Sequence, residues 1–80
     1  MAWYQYGNYF IQATGVEFNN DYDPGSKAPY PGIYRCMGCN REVAVSLGHT
    51  LPPQSHHTHT IPAQGMVRWR LIIYADPNPK

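Results

Sequence analysis

Gly32-Ile33-Tyr34-Arg35-Cys36-Met37-Gly38-Cys39-Asn40, followed after one residue by Glu42-Val43-Ala44-Val45, decides the fold. Residues 32–36 read as a short strand. Residues 42–47 alternate, with Val43, Val45 and Leu47 on one face and Glu42, Ala44 and Ser46 on the other. Between them lies a Cys-x2-Cys turn, tight enough for both sulfurs to reach one ion. Such a turn needs a residue tolerant of left-handed backbone after the second cysteine. Glycine is usual there; Asn40 is the next best choice, with Gly38 inside the turn. The stretch therefore predicts a metal knuckle entered from one strand and left by another.

Toward the C-terminus, residues 48–65 read as irregular and restrained by Pro52, Pro53 and Pro62, and they carry Ser55-His56-His57-Thr58-His59. Zinc takes four thiolate or imidazole ligands in structural sites. His56 and His59 repeat the two-residue spacing of the cysteines, and His57 with His59 is the other pair. Two thiolates and two neutral imidazoles balance the ion's charge, which suits a closed structural site. The expected ligands are Cys36, Cys39, His57 and His59, with His56 as the alternative, around a structural Zn²⁺. The plainer readings are an exposed polar histidine loop and small buried cysteines. A redox Cys-x2-Cys usually opens a helix, and nothing after Cys39 reads as one. His49, behind Gly48, could serve as a spare ligand, but is expected at the surface or supporting a ligand. Residues 67–74 form the clearest strand, Val67, Trp69, Leu71 and Ile73 opposing Arg68, Arg70, Ile72 and Tyr74. The Pro/Asn tail, 76–80, is expected to fray.

Toward the N-terminus, residues 3–10 read as an aromatic strand interrupted at Gly7-Asn8, and 11–18 as a second strand broken by Gly15, together a possible hairpin. Residues 19–32 are a loop by their Asp-Pro-Gly and Pro-Tyr-Pro-Gly turns, long enough to wrap aromatic surface or carry function. Eight prolines and seven glycines leave no window for an amphipathic helix. The expected architecture is one small, mostly β domain over 1–80. It has an aromatic N-terminal part and loop (1–31), a three-stranded core (32–75), a frayed tail (76–80) and little or no helix.

A chain of 80 residues hides a limited share of its apolar surface, so its core stabilises it only marginally, and small domains tend to need a staple: disulfides, a metal or a partner subunit. Charged residues make up 14% against about 25% in ordinary soluble domains, which excludes disorder by charge repulsion. The net charge of +1 does not point to nucleic acid. No apolar stretch is long enough for a membrane helix, and the first residues lack the basic and apolar regions of a signal peptide, so a cytoplasmic location is expected. Two cysteines this close in a reducing compartment indicate metal or redox chemistry.

The run 32–40, then Glu42-Val43-Ala44-Val45, Gly48 and Leu51-Pro52-Pro53, resembles the zinc-ribbon pattern over residues 32–75. That resemblance implies a strand–knuckle–strand, a second Cys-x2-Cys knuckle and a closing strand with an aromatic, here Trp69. The chain departs from it in lacking the second cysteine pair. Direct substitution would put Gln54 and His57 at those positions, and glutamine is a poor zinc ligand, hence the preference for histidines up to His59. The whole chain is also similar to a group of small bacterial proteins labelled protein L, distinct from the immunoglobulin-binding protein of that name. The similarity rests on Trp3-Tyr4-Gln5-Tyr6-Gly7, Ala13-Thr14-Gly15, Asp23-Pro24-Gly25 and Trp69-Arg70-Leu71. It supplies a label and no mechanism.

The functional expectation is a zinc-stabilised binding or adaptor module, with a protein partner or a second copy as its partner. The alternative is a metal-handling or thiol redox protein with a labile Cys/His site. A third reading, single-stranded nucleic-acid binding, would use Arg68, Arg70 and Tyr34 as the binding surface. Against that reading, the arginines on the solvent face of the last strand simply deter edge pairing. Catalysis is not expected, because the carboxylates fall in turns or on strand faces and so small a domain offers no obvious cleft.

Overall fold

The alternation on either side of the cysteine turn does fold into a hairpin. The computed structural model describes residues 2–13, 15–53, 56, 59 and 65–75. Its three strands, β1 (Gly32–Cys36), β2 (Glu42–Val45) and β3 (Trp69–Tyr74), form one antiparallel sheet in the order β2-β1-β3. Among the described residues the helical structure is limited to two 3₁₀ turns, and no helix is long and apolar enough to cross a membrane.

Tyr34 lies opposite Val43 on one side and Leu71 on the other, and Cys36 lies opposite Trp69, so these side chains share one face. That face is the core. Tyr34, Cys36, Trp69 and Leu71 are buried there with Val67, Leu51 and Ala28, and Val43, Val45, Tyr22 and Tyr30 pack around them. The expected strand 42–47 ends at Val45, and Leu47 is exposed in the turn that follows. In β3 the alternation is interrupted. Ile33 pairs with Ile73 while Tyr34 pairs with Leu71, so Ile72 is an extra residue in a bulge. The bulge moves Ile73 to the face of Ile33, away from Trp69 and Leu71, with which simple alternation grouped it.

Gly32 begins β1 with φ of +151°, and a Cβ there would fall onto the carbonyl oxygen of Ile73 across the ladder. Gly32→Ala is therefore expected to destabilise the protein by about 2–4 kcal/mol by separating this end of β1 and β3. Urea denaturation checks this, and a loss below about 0.5 kcal/mol, the scale of an ordinary surface change, would contradict it.

The long loop before β1 is a structural cover. Tyr22 bridges to Trp69, and Lys27 bridges to Thr50. The Lys27–Thr50 bridge belongs to a set of four backbone hydrogen bonds that join Gly25, Ser26 and Ala28 to Gly48, His49 and Leu51, at 2.8–3.1 Å. These contacts satisfy backbone groups while pressing Ala28 and Leu51 into the core. Tyr34, assigned to a binding surface from the sequence, is instead fully buried, and its hydroxyl donates to the Tyr30 carbonyl at 2.6 Å. Its position two residues before Cys36 puts both on the inward face. Burial raises the Tyr34 pKa, because the phenolate would lose its hydration.

The aromatic N-terminal stretch does not form the expected strand or hairpin among the described residues. Gly7–Tyr9 is a 3₁₀ turn closed by Tyr9 N–H to Tyr6 O and Phe10 N–H to Gly7 O. Tyr4 meets Phe10 in a tilted contact at 5.1 Å and Tyr6 meets Tyr9 edge-on at 5.8 Å, so the rings pair locally across the turn. A second 3₁₀ turn, Val16–Phe18, replaces the end of the expected second strand and packs against β3.

Candidate metal centre

The β1–β2 turn is built for its two cysteines. Cys36 ends β1, its N–H donating to Arg41 O at 2.7 Å, and Asn40 N–H returns to Cys36 O at 2.8 Å. Asn40 has φ of +67°, the left-handed conformation the sequence demands after the second cysteine. Its side-chain oxygen accepts from Arg35 Nε at 3.1 Å. Asn40→Gly is expected to leave stability within about 0.5 kcal/mol, whereas Asn40→Val, β-branched in a left-handed position, loses about 1–2 kcal/mol. Paired thermal melts check both; equal melts for the two variants would contradict the conformational requirement.

The third donor arrives from the loop ahead of β3. His59 Nε2 lies 3.3 Å from Cys36 Sγ, and the ligand atoms of Cys36, Cys39 and His59 all lie within 4.8 Å of one another. In a tetrahedral zinc site the edge between a sulfur and a nitrogen ligand is about 3.6 Å, given bonds of about 2.3 and 2.0–2.1 Å. The three donors are thus already at coordination spacing. On its other side His59 Nδ1 meets the Gly65 carbonyl at 2.7 Å. A carbonyl only accepts, so Nδ1 carries a proton, and Nε2 is the nitrogen left to ligate an ion. Thiolate, thiolate and neutral imidazole form a donor set suited to a borderline-soft divalent ion such as zinc. Cys36 is buried, and Cys39 and His59 are half-buried, so the centre lies at the edge of the core.

Of the histidines expected as ligands, His59 joins the cysteines. His57 lies outside the described residues. His56 is exposed and sits beside the Trp69 ring, with centroids 5.9 Å apart and edge-on, and is not a member of the three-donor group. His49 is exposed in the turn after β2. Two backbone groups that sequence reasoning did not reach hold the centre in place. One is the Gly65 carbonyl on His59. The other is the Pro52 carbonyl, which accepts from Trp69 Nε1 at 3.0 Å and ties the start of the histidine loop to the sheet.

The arginines assigned to a binding surface are occupied within the chain. Asp21 accepts from Arg70 at 2.7 and 2.8 Å and lies 4.0 Å from Arg68. These groups are about 40% exposed, so the pairing is worth at most about 1 kcal/mol, yet it neutralises part of the positive patch. Tyr34 is buried and so is not available to stack on a base at that surface.

Comparison with known proteins finds similarity to the curated Escherichia coli protein named Protein L. The two are 40% identical over 70 residues, a match covering 84% of this chain and 78% of that relative. No protein-family model and no solved structure matches, so the zinc-ribbon resemblance rests on the motif alone.

Proposed function

We propose that this chain, which belongs to the family of the Escherichia coli Protein L, is a small β module stapled by a structural zinc ion and used to bind a protein partner. Cys36, Cys39 and His59 would hold the ion, with His57 as the fourth donor. The observation that carries the reading is the gathering of three soft donors within 4.8 Å, with the imidazole oriented by a backbone carbonyl. The ion's part is to tie the β1–β2 turn to the segment entering β3, a long-range closure that a core with seven buried residues among those described needs. The role is structural and assigns the module no catalytic step.

The partial exposure of Cys39 favours a second reading, a labile site for metal handling or thiol redox exchange. Thiol titration separates the two. A closed structural site leaves both thiols unreactive until a chelator is added, and the protein then unfolds. Thiols that react at once with zinc bound, without loss of structure, would remove the structural reading and support the labile one.

A further inference from the structure

Among the described residues, the outer edge of β3 is paired only at its start. Tyr22 and Trp69 exchange both backbone hydrogen bonds, at 2.6 and 3.0 Å. Continuing that ladder would place residues 20 and 18 against 71 and 73. The chain leaves it instead, because the turn Val16–Phe18 is closed by Phe18 N–H to Gly15 O and Asn19 N–H to Val16 O. Along 71–74, no described residue makes a backbone hydrogen bond to the outer edge. Between that edge and segment 9–13 runs an open groove of about 1130 Å³, whose apolar walls include Phe10, Ile11, Phe18 and Ile72.

An open edge beside an apolar groove is a site for an added strand. The charged groups in the groove wall are Glu17 and Arg70, and Arg70 is already held by Asp21, so a neutral, apolar and extended segment fits. The chain contains one. Residues 2–13 carry no charge, and the backbone is extended at Tyr6 and Phe10, on either side of the first turn. Within one copy Trp3 is 94% exposed, Ile11 93% and Tyr9 77%.

We infer that two copies associate about a two-fold axis, each offering residues 2–13 as an added strand to the 71–74 edge of β3 in the other. Both surfaces exist on every copy, so the exchange closes as a dimer without leaving an open edge. The interface uses none of the metal-site residues and stands independently of the proposed metal function.

Sedimentation of the full chain is expected to give about twice 9.1 kDa. Isotope-filtered nuclear Overhauser spectra of mixed labelled and unlabelled copies are expected to place Tyr9 and Phe10 of one copy against Ile72 and Ile73 of the other. The double variant Tyr9→Lys/Ile11→Lys, at two side chains exposed within one copy, is expected to weaken the dimer at least tenfold. Its circular dichroism and metal content should be unchanged. A chain that is monomeric up to its solubility limit overturns the proposal, whether its 71–74 amides exchange freely or are protected by its own segment closing on the edge. So does a dimer that lacks these contacts between copies or is unmoved by the two lysines.

Discussion

Cys36→Ser is expected to leave the protein unfolded at 25 °C whether or not zinc is supplied. The site is fully buried, so exchanging the sulfur for a smaller, more polar hydroxyl costs about 1–3 kcal/mol before any metal is considered. It also removes one thiolate from a centre of the kind that contributes about 10–16 kcal/mol in small zinc domains, against a net stability of about 5–15 kcal/mol for whole domains. Cys39→Ser separates these effects, because Cys39 is half-buried and its loss is chiefly the loss of a ligand. In zinc it is expected to melt at least about 15 °C below the parent, at about 4–8 °C per kcal/mol for a domain of this size. In chelator it should match the parent. Circular dichroism melts of the parent and both variants, with and without chelator, check this. Equal melts for Cys39→Ser and the parent in zinc would mean that the cysteines serve the core and not an ion.

Trp69→Ala is the second large effect expected, a loss of about 4–6 kcal/mol. About 3–5 kcal/mol comes from the cavity left by a fully buried indole. About 1 kcal/mol more comes from the Pro52 carbonyl, which loses its donor. Trp69→Phe keeps most of the packing and loses the hydrogen bond, so about 1–2 kcal/mol is expected. Because Trp69 lies opposite Cys36 in the ladder and anchors the loop that leads to His59, the alanine variant should also weaken zinc binding. Denaturation followed by far-ultraviolet circular dichroism, with a competitive zinc titration, tests both parts. A variant with weakened stability and unaltered zinc affinity would show that the fold and the metal centre are less coupled than the geometry implies.

The parts legible in the sequence are those set by local chemistry. The alternation of 32–36 and 42–45, the two-residue cysteine spacing and the left-handed tolerance of Asn40 all act within one turn, and the hairpin and knuckle follow from them. Features decided by distant pairing were not legible in the same way. The face of Ile73 depends on the bulge at Ile72, which arises from how β3 registers on β1. The aromatic stretch 3–10 has strand-forming residues, but β propensity counts only where a neighbouring strand is available. Within one copy the described residues of this stretch pair with no strand, and the rings meet each other across a 3₁₀ turn instead.

The same division runs through the candidate site. Spacing was enough to nominate the cysteines and the histidine cluster. Singling out His59 needed the path of the chain, because the Gly65 carbonyl that orients its ring is a backbone group with no signature in the sequence. Tyr34 was the avoidable error. A period of two places it beside Cys36 on the inward face, and that alone removes it from any stacking surface. Asp21, which occupies both Arg68 and Arg70, lies nearly fifty residues away from them, a pairing that no local pattern announces.

The central claim is that an ion at Cys36, Cys39 and His59 holds this fold together. Native mass spectrometry of the full chain from zinc-replete cells, before and after chelation, tests it most directly. One zinc per chain, removed by chelator together with the β-sheet circular dichroism signal, is the predicted result. A metal-free mass with an unchanged spectrum in chelator would contradict it.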